Sequence, residues 1–291
     1  MKLGLISEGT NTWPLYVAQA RKLFDAEGIT VEVTVTGSSV EQQRRLLAGD
    51  FDVGFQQADH VVRAVEQGSD LFIFMPVAHA PDLTLVAARG IGTIGELRGR
   101  AVAVDGARTG YALLLRRLLS EHGLSEADVT FQEVGGSRER YDAMLSGAAS
   151  AALLNAPFDA QLIGQGFSAL ARMNEAFPSY PGSVMAARRS WAESHQDELT
   201  RFIRAYTAAY AWLADPSHAR EARAMLPAHL KTSDAVAGKA LEEFAMRSRP
   251  RLAREGVEQV IETYWRAERL PGPRPSPEKY MDVAYMERAL A

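Results

Sequence analysis

Short apolar runs alternate with amphipathic segments through the first part of the chain. The first run, at residues 3–6, is followed by a polar loop and by a helical pattern that starts at Trp13-Pro14. Proline is tolerated at a helix start because its missing N–H would have no partner there. Further apolar runs cover residues 31–35 and start again at Asp52. Strands that alternate with helices in this way are typical of parallel sheets with right-handed crossovers.

The same order of elements occurs twice. In the second copy, apolar runs at residues 101–104, 129–134 and 151–154 alternate with two helical patterns. One glycine follows the second strand and another ends the next helix, and the two are twelve residues apart in each copy. These pairs are Gly37 with Gly49 and Gly135 with Gly147. A repeated unit of this kind predicts two α/β lobes.

Two apolar runs fit strands that cross between the predicted lobes. The run at residues 84–88 leads from the first unit to the second, and the run at residues 183–187 leads back. We therefore assign residues 1–84 and 188–291 to a discontinuous first lobe, and residues 85–187 to a second lobe. Beyond the return crossing, apolar residues recur with helical spacing, so we expect helices that complete the first lobe.

Composition and charge exclude several classes of function. The chain has 291 residues, is 47% hydrophobic and 23% charged, and carries a net charge of −4, which is ordinary for a globular protein. The chain has no run of Lys and Arg of the kind that indicates nucleic-acid binding. It also has no apolar run of the ~20 residues that are needed to span a bilayer. The absence of cysteine excludes disulfides and thiolate chemistry, and the six histidines lack metal-ligand spacing. We expect no metal and no cofactor.

Four phrases are similar, in their order and spacing, to a known family. They are PLYVA at 14–18, LAGDFDVG at 47–54, IGELRGRAVAV at 94–104 and APF at 156–158. With them the chain resembles the type II periplasmic binding proteins, and within these the nitrate/sulfonate/bicarbonate branch, which includes thiamine-pyrimidine-synthase-like proteins. The resemblance covers essentially the whole chain. It implies a two-lobed, venus-flytrap-type fold that closes on one solute and delivers it to the permease of an ABC importer.

The resemblance also implies a location. Because the first strand follows Met1 within two residues, the sequence carries no signal peptide. We expect a periplasmic protein that works as a monomer and whose leader has been removed. A cytoplasmic protein is the alternative.

Ligands of open α/β sheets bind beyond the carboxyl ends of the strands. This rule selects the loops after the predicted strands, and the ligand loops implied by the resemblance coincide with them. The selected loops are 7–13, 55–60, 78–82, 105–111, 135–138 and 155–158. The candidate ligand-binding residues are Thr10, Asn11, Thr12, Trp13, Gln56, Gln57, His79, Arg108, Thr109, Gly110, Tyr111, Gly136, Ser137, Asn155, Phe158 and Tyr180.

The most specific candidate site is the start of the helix that is expected near Thr109. The free backbone N–H groups at Gly110 and Tyr111 and the positive end of the helix dipole form an anion receptor. Arg108 would add a bidentate contact to a carboxylate or sulfonate. The alternative is that Thr109 only caps the helix and that Arg108 is solvated.

Other candidates also have a structural alternative. Trp13 would stack on a planar ligand or cover the edge of the first lobe. Gln56 and Gln57 would form hydrogen bonds to the solute, while Asp59 fits the N-cap of the helix that follows them. Tyr180 would form part of a lid over the ligand.

The leading hypothesis is a receptor for a small organic anion such as a sulfonate or carboxylate, including aromatic ones. The alternative is a cytoplasmic enzyme on the same fold, a lyase or synthase for a small aromatic compound or cofactor precursor. Enzymes of thiamine-pyrimidine synthesis and aryl-sulfinate cleavage resemble this chain, but the resemblance implies an essential cysteine, which the chain lacks. A lyase would use His60 or His79 as its base. A third hypothesis, a cytoplasmic effector-sensing module, requires another chain to bind DNA.

Overall fold

A computed structural model describes residues 1–77, 81–106, 108–230, 233–245 and 252–291. Within these residues, ten strands form two sheets of five strands each, with helices packed around them. The strands are β1 (Lys2–Leu5), β2 (Glu32–Val35), β3 (Val53–Gln57), β4 (Leu71–Pro76), β5 (Thr84–Ala87), β6 (Ala101–Val104), β7 (Thr130–Glu133), β8 (Ala151–Leu154), β9 (Ser168–Arg172) and β10 (Ser183–Arg188). The helices are α1 (Trp13–Ala20), α2 (Leu23–Ala26), α3 (Ser39–Ala48), α4 (Ala58–Glu66), α5 (Gly110–Glu121), α6 (Ser137–Leu145), α7 (Phe158–Gly164), α8 (Met173–Ala176), α9 (Arg189–Ser194), α10 (Gln196–Ala214), α11 (Ala219–Leu230), α12 (Asp234–Ala245), α13 (Arg254–Glu268) and α14 (Ala284–Leu290).

The two sheets have the same plan and confirm the two-lobed α/β fold. The first has the order β2-β1-β3-β10-β4 and the second the order β7-β6-β8-β5-β9. In each sheet the first three strands are parallel, as the repeat predicts. The two crossing strands, β10 and β5, run antiparallel to both of their neighbours. Each sheet is mixed because the chain inserts one reversed strand into it as it passes between the lobes.

Left-handed glycines account for the twelve-residue spacing in the repeat. Gly37 and Gly135 follow β2 and β7, with φ of +69° and +103°. Gly49 and Gly147 come after α3 and α6, with φ of +84° and +75°. Residues with a Cβ rarely adopt this region of φ, so glycine marks both ends of the same turn–helix–turn unit in each lobe.

The strand pairing and the helix packing differ from the assigned lobe boundaries. All of β5, including Thr84, pairs in the second sheet, and all of β10 pairs in the first, although residues 183–187 were assigned to the second lobe. Most of the late helices pack on the first lobe as expected. Helix α13 instead packs against both α4 of the first lobe and α5 of the second.

The core of the first lobe is built largely by α10. The apolar stripe from Leu199 to Leu213 is buried against the strands of the first sheet and against α1. This is the pattern that the helical spacing predicts. Among the described residues, no helix is both long enough and apolar enough to cross a membrane.

Candidate functional site

A cavity of about 60 Å³ lies between the lobes, where strand ends of both sheets face each other. We call it the interlobe cavity. Its walls are formed by Ile6, Ser7, Asn11, Thr12, Phe55, Gln56, Gln57, Asp82, Leu83, Asp105, Tyr111, Gly136, Ser137, Arg140, Asn155 and Ser183.

Half of the candidate residues lie on this wall, and both lobes supply them. They are Asn11, Thr12, Gln56, Gln57, Tyr111, Gly136, Ser137 and Asn155. Four other wall residues, Ser7, Phe55, Asp82 and Asp105, fall within the loops that were selected from the strand ends. The rule that ligands bind beyond the carboxyl ends of strands therefore predicts the position of this cavity.

Arg140 is the basic residue on the described cavity wall, and the sequence analysis missed it. Its side chain is buried, with 6% exposed. It donates hydrogen bonds to the carbonyl oxygens of Leu153 and Gly135, each at 2.9 Å, and to Ser137 Oγ at 3.1 Å. Burial lowers the pKa of its guanidinium from the ordinary value, and the nearby Asp105 carboxylate opposes this shift. A buried arginine held by neutral acceptors retains a positive charge that an anionic group can neutralise.

The start of α5, where the sequence analysis placed the anion site, has other partners. Thr109 Oγ1 accepts a hydrogen bond from the Ala112 backbone at 3.4 Å and donates one to Asp105 Oδ1 at 2.7 Å. The Arg108 side chain is 70% exposed and forms an ion pair with Glu268 of α13. Neither residue lies on the cavity wall. The structural alternative for Thr109, a helix cap, is therefore confirmed, and Arg108 is not placed to hold a ligand in the cavity.

The start of α5 faces an acidic side chain of the first lobe. Asp59 of α4 is buried, with 1% exposed, and its carboxylate lies against Gly110: a methyl group at Gly110 would be 2.0 Å from Asp59 Oδ1. Burial raises the pKa of Asp59, while His60, Arg63 and the Gly110 backbone oppose the shift. The expectation that Asp59 caps its own helix is wrong, since α4 has Gln57 at its N-cap. Asp59 of the first lobe instead lies at the N-terminal end of helix α5 of the second lobe, where the helix dipole is positive.

Further contacts hold the lobes together beside the cavity. The Thr10 backbone N–H donates to the Ala156 carbonyl oxygen at 3.2 Å, and this is the role of Thr10 in the structure. The Tyr111 side chain hydrogen-bonds to Ser183, and burial raises the pKa of its hydroxyl, so that it stays protonated near neutral pH. The Arg63 guanidinium donates to the Arg108 carbonyl oxygen. The cavity thus lies beside direct contacts between the two lobes.

Residues 9–219 match the model of the NMT1/THI5-like family. The chain belongs to the NMT1/THI5-like family. A curated relative is the bicarbonate transport ATP-binding protein CmpC of Synechocystis sp., 26% identical over 235 residues, which cover 73% of this chain and 35% of that protein. The chain therefore spans about a third of the length of the curated relative that it matches.

Solved structures with this fold include binding proteins for small anions. The periplasmic nitrate-binding protein NrtA of Synechocystis PCC 6803 has a TM-score of 0.84 and 14% identity, covering 99% of this chain and 87% of its own. The alkanesulfonate-binding protein SsuA of Xanthomonas axonopodis pv. citri, bound to MOPS, has a TM-score of 0.76 and 18% identity, covering 97% of both chains. At these identities the likeness shows the fold, and this is the two-lobed fold that the resemblance of the four sequence phrases implies.

In this NMT1/THI5-like chain, three aromatic candidates belong to the hydrophobic cores and not to the cavity wall. Trp13 is 0% exposed and packs with the first-lobe core around α10. Phe158 is buried with its ring centroid 5.5 Å from that of Tyr141, in a core of the second lobe. Tyr180 is 2% exposed and packs in the core shared by α4, α5 and α13. The hypothesis that Trp13 and Phe158 enclose the ligand has no support in this geometry.

Replacing Trp13 with alanine should therefore cost stability more than ligand contacts. Removing a fully buried tryptophan leaves a large void, and such substitutions cost about 3–5 kcal/mol of unfolding free energy. Urea denaturation measures this loss. Val40→Ala on α3 is the matched control, since Val40 is 70% exposed and its truncation should change stability by less than about 0.5 kcal/mol. A Trp13→Ala protein that unfolds like the wild type would contradict this core assignment.

Of the two proposed catalytic bases, His60 is described by the structure and does not lie on the cavity wall. His60 is 4% exposed, lies 3.3 Å from Gln56 Oε1 through its Nδ1 atom, and is absent from the cavity lining. His79 lies outside the described residues. A lyase that uses His60 as its base would need this imidazole to reach the ligand past Gln56.

Proposed function

We propose that this chain is a solute-binding receptor that closes its two lobes on one small molecule and delivers it to an ABC importer. The observation that carries the proposal is the interlobe cavity, in which a buried arginine of the second lobe faces polar groups of the first. Membership of the NMT1/THI5-like family and the nitrate- and sulfonate-binding neighbours support the same assignment.

We expect the lobes to close on the ligand because both of them contribute residues to the cavity wall. The first lobe offers Asn11 and Gln57, and the second offers Ser137, Arg140 and Asn155. A ligand satisfies all of these groups only when the lobes meet, so its binding free energy favours the closed arrangement over an open one. The closed surface is then the form that the permease recognises.

We propose that the anionic end of the solute binds Arg140 rather than Arg108. Three of the five N–H groups of Arg140 donate within the protein, which leaves two for a ligand. Ser137 beside it starts the nine-residue helix α6, whose N-cap, Gly136, brings no capping side chain. Free backbone N–H groups at a helix start attract an anion such as a carboxylate or sulfonate.

The small cavity favours an aliphatic solute over an aromatic one. Of the rings considered from the sequence, Phe55 and Tyr111 reach the wall, whereas Trp13 and Phe158 are buried in the cores. A volume of about 60 Å³ holds few non-hydrogen atoms. We propose that the receptor works in the periplasm as a monomer.

Delivery predicts a gain in transporter activity. The liganded chain, added to its cognate permease and ATPase in proteoliposomes, should raise ATP hydrolysis several-fold, because the closed lobes present the docking surface. Phosphate release measures the effect, and the same chain without ligand is the control. Equal hydrolysis with and without the liganded chain would contradict delivery to an importer.

A further inference from the structure

The interlobe cavity contains a group of hydrogen-bond acceptors without donors. Asn11 Oδ1, Gln57 Oε1, Asp105 Oδ2 and Asn155 Oδ1 are buried, and none accepts a hydrogen bond from the described part of the protein. All four residues line the cavity. Gln57 and Asn155 are only 9% and 8% exposed, so their carbonyl oxygens have little access to bulk water. Buried acceptors are costly unless a donor reaches them.

Neighbouring groups fix the direction of two of these acceptors. The Asn155 amide nitrogen donates to the Ala156 carbonyl oxygen at 3.3 Å, and turning this amide over would place two oxygens against each other and lose the bond. Asp105 uses its other oxygen, Oδ1, to accept from Thr109 at 2.7 Å, which leaves Oδ2 for a ligand. The Asn11 amide nitrogen donates to Ser183 Oγ at 3.2 Å, a hydroxyl that can also donate.

The charged groups on the wall also favour a ligand that carries hydrogen-bond donors. The wall carries the carboxylate of Asp105 as well as the guanidinium of Arg140. A solute that is only an anion would satisfy Arg140 but would leave the acceptor oxygens without donors. It would also lie close to the Asp105 carboxylate, and like charges repel each other.

We propose that the solute is a small zwitterion. Its anionic group binds Arg140 and Ser137, and its ammonium or amidinium group donates to the oxygens of Asn11, Gln57, Asp105 and Asn155. This inference rests on the proposed receptor function and defines its ligand class. Small amino acids such as glycine and β-alanine carry both of these groups.

Calorimetric titration with matched probes tests the proposal. β-Alanine and propionate share a carboxylate and differ in the ammonium group, and ethylamine has the ammonium without the carboxylate. Glycine and acetate form a second pair. The zwitterion of each pair should bind at least tenfold more tightly than its anion, and β-alanine at least tenfold more tightly than ethylamine, since charge-assisted hydrogen bonds are lost at one end or the other.

Variants locate the cationic end. Asp105→Asn keeps an acceptor for Thr109 but removes a charge, so it should reduce the preference for β-alanine over propionate at least fivefold. Asp142→Asn is the matched control, because Asp142 is an exposed acid on α6 of the same lobe and does not line the cavity. The preference should be unchanged in this control.

The outcomes separate the ligand class from the receptor function. If propionate or acetate binds as tightly as its amino counterpart, and small-angle scattering shows that it closes the lobes, the zwitterion is excluded and the receptor stands. Binding of neither β-alanine nor glycine also overturns the zwitterion proposal. Absence of closure with every probe, together with no stimulation of the transporter, counts against the receptor itself.

Discussion

Arg140→Met should weaken binding of the tightest of these probes at least a hundredfold, whereas Arg108→Met should change it less than about twofold. Arg140 is buried on the cavity wall, and each charge-assisted hydrogen bond to a ligand contributes about 1.5–3 kcal/mol. Two such bonds correspond to a factor of a hundred or more. Arg108 is exposed and paired with Glu268, so its charge is balanced outside the cavity. Calorimetry of the two variants beside the wild type measures the difference.

The comparison must separate ligand contacts from folding. Arg140 also holds the carbonyl oxygens of Leu153 and Gly135, and its loss leaves these acceptors without a donor. Circular dichroism and thermal unfolding identify a folded variant. Arg140→Lys keeps the charge but loses the planar fork, so an intermediate loss of affinity is expected. A folded Arg140→Met protein that binds within fivefold of the wild type would exclude Arg140 as the anion contact.

The position of the site was predictable from the sequence because it depends on local elements. The apolar runs place the strand ends, and the glycine spacing shows that two lobes share one plan. Once two parallel α/β units are recognised, the ligand loops follow from the fold. Arg140 was missed because it lies one helical turn beyond Ser137, outside those loops. The i, i+3 spacing of Ser137 and Arg140, which places both on one helix face, was the available signal.

The roles of Arg108, Asp59 and Trp13 depended on distant partners. Glu268, which pairs with Arg108, is 160 residues away in sequence. Asp59 looks like the cap of its own helix, but its carboxylate lies against Gly110 of the other lobe. Trp13 follows a polar loop, yet the packing of α10 makes it a core residue. Local propensity could not decide among these alternatives, because tertiary contacts override it.

The strands also have features that the sequence predicts and features that distant contacts decide. The apolar run at residues 183–187 correctly predicts a strand, β10. Its membership of the first sheet depends on pairing with β3 and β4, which lie more than 100 residues earlier. The antiparallel direction of β10 follows from where the chain re-enters the first lobe. A hydrophobic pattern predicts that a strand exists, but it does not predict which strands pair with it or in which direction it runs.

Gly110→Ala should keep the lobes from meeting as they do here and should lower ligand affinity roughly fivefold to a hundredfold. An added Cβ would lie 2.0 Å from Asp59 Oδ1, 2.3 Å from its Cγ and 2.9 Å from its Cβ. The last two atoms belong to the fixed part of a buried side chain, so α4 and α5 must move apart. Overpacking of this kind costs about 1–3 kcal/mol, and the cost falls on the arrangement that encloses the cavity. Calorimetry measures the affinity, and small-angle scattering measures closure.

Two further variants make the Gly110 experiment specific. Gly164→Ala on α7 is the matched control, because no atom lies within 4 Å of the added methyl group, and it should bind and close like the wild type. Shortening the opposing side chain in the double variant Asp59→Ala, Gly110→Ala removes the contacts with Oδ1 and Cγ and leaves the one of 2.9 Å with Cβ, so it should restore part of the lost affinity. That non-additivity identifies a direct contact between the two positions. Normal closure and affinity in Gly110→Ala alone would show that the contact between Asp59 and Gly110 does not belong to the ligand-bound arrangement.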